Sequence, residues 1–167
     1  PFMKAELALA GEINDDAEEL LKDAINASIY HVNAVTAKAD PTVQLIDSTK
    51  QNLFINSIIN QFDSATPEKK MEIVMTQKWI ANFNNGNEAW ADYRRTNYPA
   101  LMPASDAGNK SDGLVSSEFG ARRMKYPLAE YTNNGENVNA AVSQHLGGPD
   151  RMSTRLWWDC NPAIVIK

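Results

Sequence analysis

The chain has 167 residues, 43% hydrophobic and 22% charged, a balance that suits one soluble globular unit with a core of its own. Its net charge of −5 and pI near 5.0 argue against nucleic acid or an anionic membrane surface as the main partner, because both reward clustered cations. Arg94-Arg95 and Arg122-Arg123 are only pairs. Cys160 is the one cysteine, which excludes an internal disulfide and any metal site built on several thiolates; it is expected as a packed thiol. No apolar run is long enough to span a bilayer, and no basic segment followed by an apolar one marks a signal peptide. Opening at Pro1 without a methionine, the sequence reads as a processed or excised piece.

Helical patterning dominates up to the neighbourhood of Pro99. Phe2 to Ala10 is rich in Ala and Leu and predicts a helix that Gly11 stops. Asp15 or Asp16 then opens a long second helix, its first-turn acids complementing the dipole, and Asp40-Pro41 closes it. Leu21, Ile25, Ser28, Val32 and Val35 recur at spacings of four and three and predict one buried stripe. Ala17, Leu21 and Ala24 follow the small-large-small spacing of a tetratricopeptide second helix, so the first two helices read as one such pair.

A third helix is predicted from about Thr42 to Phe62, with Ile55, Ile58, Ile59 and Phe62 inward and Asn52, Asn56 and Asn60 on another face. The fourth has the clearest start: Thr66 caps, Pro67 takes the first turn, and Glu68 favours the dipole. Met71, Ile73, Val74, Met75, Trp79, Ile80 and Phe83 wrap much of its circumference, which predicts a central helix with Trp79 in the core. Asn84-Asn85-Gly86 ends it, and a fifth helix from Asn87 to Thr96 places Trp90 and Tyr93 on one side.

Beyond Pro99, Gly, Asn, Ser and Pro break the chain into short pieces. The pattern predicts a loop through Met102-Pro103 to Gly113, an extended segment from Arg122 to Pro127, a short helix near Glu136 to Gln144, and a turn at Gly147-Gly148-Pro149. The expected architecture is mostly α, with a loop-rich end holding at most short strands. Residues 1–98 form a helical scaffold in this reading, and 99–167 a loop-rich part packed on it.

Chemistry-bearing patterns are sparse. His31 and His145 belong to no metal-ligand spacing, so no metal and no cofactor is expected. There is no nucleophile elbow and no phosphate-cradling glycine loop. Glu88 and Asp92 stand one turn apart and could in principle serve a carboxylate-dependent glycosidase, but Asp92 with Arg95 also has ordinary salt-bridge spacing. Aromatic residues offer a second possibility, since exposed Trp157, Trp158, Tyr98 or Tyr131 could stack on sugar rings. In an extended strand, Trp157 and Trp158 would face opposite ways, one buried and one presented.

Several blocks together carry a resemblance. They are Gln77-Lys78-Trp79-Ile80-Ala81, then Asn85-Gly86 through Glu88-Ala89-Trp90, Asp92 and Arg94-Arg95-Thr96 to Pro99 and Leu101. Arg122-Arg123-Met124 with Tyr126-Pro127, Glu130 and Asn133 follows, and Gly147-Gly148-Pro149-Asp150 leads to Trp157-Trp158-Asp159. In that order they resemble the C-terminal part of a SusD/RagB-type protein, and the similarity covers nearly the whole chain. The resemblance implies a non-enzymatic, mostly helical lipoprotein at the outer-membrane surface that binds glycan and delivers it to a TonB-dependent transporter. It implies a structural signature in Trp79, Trp90, Arg94, Arg95, Arg122, Arg123, Tyr126 and Asp159. The family's lipidated N-terminal cysteine has no counterpart here, so the membrane anchor and much of the scaffold are expected in a further N-terminal part. Read without the resemblance, the repeat-like opening equally suits a helical protein-interaction module.

Overall fold

In the computed structural model, residues 1–101, 108–115, 120–147 and 149–160 are described. Part of the loop expected through Met102-Pro103, and Gly148 of the expected turn, lie outside them. The order is α1 (Phe2–Leu9), α2 (Ala17–Ala39), α3 (Ser48–Asp63), α4 (Pro67–Ala81), α5 (Gly86–Thr96), α6 (Leu128–Asn133) and α7 (Gly135–His145). Among the described residues there is no strand, only a single bridge residue at Gly120. The chain divides into two compact units, Pro1–Tyr93 and Arg94–Lys167.

The first unit follows its local signals closely. Gly11, at φ +77°, ends α1: its N–H donates to the Ala8 carbonyl and that of Glu12 to the Leu7 carbonyl. Those paired bonds satisfy the last carbonyls of the helix, and glycine reaches the left-handed conformation at no steric cost. Asp16 caps α2 by accepting from the Glu18 and Glu19 N–H groups, Asp47 caps α3 through Lys50, and Thr66 caps α4 through Lys69 with Pro67 in the first turn.

α1 packs on α2 and α4, and α2 on α3. Ala5, Leu21, Ile25, Ile55, Ile58, Ile59, Phe62, Ile73 and Val74 form the core between them. The small-large-small spacing therefore works as expected: Leu21 and Ala24 are buried, and Ala17 packs against the cluster.

Three expectations are corrected. α3 starts at Ser48 rather than Thr42, because the intervening residues have better partners outside a helix. Asp40 Oδ1 accepts from the Thr42 N–H and hydroxyl, and the Asn33 amide clasps the Ile46 backbone, donating to its carbonyl (2.8 Å) and accepting from its N–H (3.0 Å). Secondly, the α2 stripe is buried only in its first half; Val32 and Val35 are 49% and 53% exposed. Thirdly, α4 is buried along Ile73, Val74, Met75 and Gln77, but Trp79 is 40% exposed, and Ile80 and Phe83 are exposed with it. Apolar residues around a helix mark faces that can be buried, and here the neighbouring helices cover the middle of α4 and leave its last turn open.

The second unit is less regular. α7 matches the expected helix, while α6, opening directly after Pro127, was not foreseen. The segment from Arg122 to Pro127, expected as extended, pairs with no strand: the Arg122 and Arg123 N–H groups both donate to the Met152 carbonyl, at 2.7 and 3.1 Å. Trp157 and Trp158 sit in a turn, and Cys160 is exposed rather than packed.

Core and surface aromatics should separate on mutation. Phe62→Ala, which empties a buried site, is expected to cost roughly 3–5 kcal/mol in urea melts, and Trp79→Ala less than half as much. Equal losses would show that Trp79 is core after all.

Candidate functional site

The second unit is organised by buried charge. Arg122 and Asp159 form a two-pronged pair, Arg122 Nε to Asp159 Oδ2 and Nη2 to Oδ1, both 2.7 Å. Each side chain is almost fully removed from solvent. Planar guanidinium and carboxylate match in this geometry, which fixes direction as well as distance. The same Arg122 Nη2 donates to the Arg94 carbonyl at 2.6 Å, and Arg94 Nη1 returns a bond to the Arg122 carbonyl at 3.2 Å. Arg155 approaches Asp159 from one turn of chain away and donates to its carbonyl. Burial and the neighbouring Arg122 charge push the Arg94 guanidinium below its ordinary value, against the opposing pull of Asp159.

A second lattice centres on Asp150. It pairs with Arg123 and accepts from the Tyr131 hydroxyl (2.7 Å) and the Tyr126 N–H (3.1 Å). The Arg123 guanidinium also lies over the Tyr126 ring, 5.1 Å from its centre. Burial pushes the Asp150 carboxyl up, but Arg123, Tyr131 and the Tyr126 N–H outweigh it and hold the group below its ordinary value. Its carboxylate in turn raises the Tyr131 hydroxyl, since ionised tyrosine could not donate to it.

The candidate stacking residues meet different fates. Tyr98 is 7% exposed, next to a cis Tyr98–Pro99 bond, so its ring is not offered to solvent. Tyr131 is half-buried with its hydroxyl committed to Asp150. Trp157 is 86% exposed. Trp158 is 37% exposed, with the Arg94 guanidinium 5.3 Å from its ring centre. The expected pairing of one buried and one presented tryptophan is not found: both are exposed, to different degrees, in a turn and not a strand.

Of the implied signature, Arg94, Arg122, Arg123, Tyr126 and Asp159 lie in these two lattices; Trp90 is half-buried on α5, Arg95 is exposed, and Trp79 is on α4. Asp150 and Arg155 were not singled out by sequence, although Asp150 stood in a matched block. Asp92, the would-be glycosidase carboxylate, is buried and held by Lys78 at 2.8 Å, while Glu88 is exposed. A shallow cavity of about 150 Å³ between α3 and α4 is lined by Ile58, Gln61, Lys69, Glu72, Ile73, Thr76 and Gln77, with no aromatic ring for stacking. His31 and His145 are exposed. Among the described residues no group of three or more His, Cys, Asp or Glu could hold a metal ion.

Residues 1–159 match the family described as Susd and RagB outer membrane lipoprotein. The chain belongs to the SusD/RagB family. A SusD homologue of Bacteroides uniformis is similar at 38% identity and TM-score 0.70, over 96% of this chain and 35% of that one. A chitin-binding SusD homologue of Flavobacterium johnsoniae is similar at 37% identity and TM-score 0.70, over 97% and 35%. A SusD homologue of Bacteroides fragilis gives 27% identity and TM-score 0.75, over 95% and 33%. The chain thus spans about a third of the length of these SusD proteins. No curated protein matches it with significance. Among the described residues no helix is long and apolar enough to cross a membrane.

Removing one partner of the buried pair should be severe. Asp159→Ala is expected to destabilise by roughly 3–5 kcal/mol, because Arg122 would remain charged and buried, whereas the joint replacement of Arg122 and Asp159 by Met and Leu should cost less than the single change. Chemical denaturation of the variants measures both; a single change costing under about 1 kcal/mol would overturn the assignment of this pair as the unit's anchor.

Acid should act through Asp150. Because its folded value is depressed, it contributes stability above the ordinary carboxylate value of 3.8 and loses it as pH falls through the lower folded value. Thermal melts between about pH 2 and 5 should therefore show a steeper loss for the parent sequence than for Asp150→Asn.

Proposed function

We propose that the complete protein is a glycan-binding component of an outer-membrane uptake system, anchored at the cell surface, that delivers oligosaccharide to a TonB-dependent transporter and does no chemistry on it. Family membership over residues 1–159 carries the reading, and the 37% identical chitin-binding relative supports glycan as the ligand class. The 167 residues would then supply scaffold in 1–98 and, in the loop-rich part, an aromatic contribution to the ligand face.

Trp157 is the leading stacking residue, because a large indole this exposed has no packing role that accounts for it. Trp158 would stand beside it, oriented by Arg94, with Tyr131 held at a fixed height by Asp150. Tyr98 is set aside on account of its burial. Indole faces suit pyranose rings because the C–H faces of a sugar are apolar and slightly positive, complementing the ring's negative face.

Calorimetry of the full-length protein with chitin oligosaccharides tests this. Binding is expected with little salt dependence, since a neutral sugar releases no counterions. Trp157→Ala should weaken it roughly tenfold, equivalent to about 1.4 kcal/mol, and the 167-residue chain alone should bind more weakly than the whole. Unchanged affinity in Trp157→Ala would place the site outside this residue's reach. Absence of binding across a broad panel of glycans would overturn the function itself.

A further inference from the structure

Two Asn-Gly pairs stand at helix starts, Asn85-Gly86 opening α5 and Asn134-Gly135 opening α7. In each, the asparagine carbonyl accepts the first helical bond, from the Ala89 N–H and from the Val138 N–H, both at 3.1 Å. The glycine N–H is among the donors that the first turn of a helix leaves without a partner inside the helix. Neither glycine is required by its conformation or by space: both have helical backbone, and a β-carbon added to either would meet nothing within 4 Å. What glycine does at these positions is leave its amide nitrogen uncovered beside the side-chain amide that precedes it.

The two asparagines differ in freedom. Asn134 Oδ1 accepts from Asn137 Nδ2 at 2.6 Å, and Asn134 closes α6 as well as opening α7, so turning it would move two helices that pack on each other. Asn85 is exposed, and its side chain is bonded to no other described residue. It follows the turn at 82–84, where Asn84 holds φ +68°, so rotation at Asn85 displaces a turn instead of a helix.

We propose that Asn85 is a self-modification site of this chain, deamidating through a cyclic imide while Asn134 is spared. Solvent hydroxide takes the Gly86 amide proton, and the freed nitrogen pair attacks Asn85 Cγ. The N–Cγ bond forms, the Cγ–Nδ2 bond breaks, and ammonia leaves with a proton from water. The positive end of the α5 dipole lies on the attacking nitrogen and favours its anion. Water then adds to either imide carbonyl and opens the ring to aspartate or isoaspartate, with no electron gained or lost. Aspartate caps a helix as well as asparagine does. Isoaspartate routes the main chain through the side-chain carbon, so the carbonyl that accepts from Ala89 leaves the backbone and the first turn of α5 frays.

Peptide mapping by mass spectrometry of the full-length protein, aged in mildly alkaline buffer, tests this. The peptide holding Asn85 should gain the mass of an amide-to-acid exchange roughly fivefold faster, or more, than the one holding Asn134, because local restraint sets how often the ring can close. Its rate should rise with hydroxide, and isoaspartyl methyltransferase should label it. In urea the two rates should converge, since the fold and not the dipeptide separates them. Gly86→Ala, which fits without strain and favours the helix, should slow conversion roughly tenfold by shielding the nitrogen and leave the melting temperature unchanged or raised. Conversion of Asn134 as fast as Asn85 in the folded protein overturns the proposal. So does an Asn85 peptide that keeps its mass, or a Gly86→Ala protein that ages no more slowly.

Discussion

The buried Arg122–Asp159 pair is the constraint on which the second unit depends. Tyr98 and Val138 are the buried residues there that have large apolar side chains among those described, too few to hold its irregular backbone by hydrophobic burial alone. The interior is instead built from guanidinium and carboxylate groups that bond to backbone as well as to each other. Arg122 reaches Asp159 and the Arg94 carbonyl, and Arg123 reaches Asp150 and the Arg151 carbonyl. A side chain with five fixed donors can tie several loops at once, which no aliphatic residue can do. Such a pair adds little net stability over a well-packed apolar replacement, but it specifies one arrangement of the loops that meet at it.

The first unit works by the opposite means. Its helices are set by capping residues and turn glycine, then held by an aliphatic core in which α1 and α2 form the repeat-like pair. Charge appears mainly on its surface, Lys78 with Asp92 being the exception, both largely withdrawn from water. This difference explains why the two parts of the chain read so differently. Helical periodicity is a local signal, whereas an arginine lattice joins residues such as Arg122 and Asp159 that lie 37 positions apart.

Scaffold residues and exposed aromatic residues accordingly differ. Signature positions that look chemically rich in sequence, arginine beside carboxylate and tyrosine beside arginine, are mostly consumed in holding loops. Trp157 lies outside those lattices, while Trp158 borders one through Arg94. A turn placed by Asp159, itself fixed by Arg122, presents Trp157 to solvent.

By itself the sequence determined the helical order of the first unit, a cap for α2 at Asp15 or Asp16 and for α4 at Thr66, the α3 core face from Ile55 to Phe62, and the family, because each is written in neighbouring residues or in ordered blocks. It did not place Trp157 and Trp158, which a strand would have divided into one buried and one presented and which a turn leaves both exposed. Only the tertiary structure decided how far a stripe stays buried: Val32, Val35 and Trp79 have the right character and spacing for a core, but burial requires a partner helix long enough to reach them. The same holds for Asp150, whose role depends on Arg123, Tyr126 and Tyr131 converging from elsewhere in the chain, and for Lys78, which meets Asp92 from a different helix. Periodicity reports what a face could do; which face is covered, and by what, is settled by the packing of elements distant in sequence.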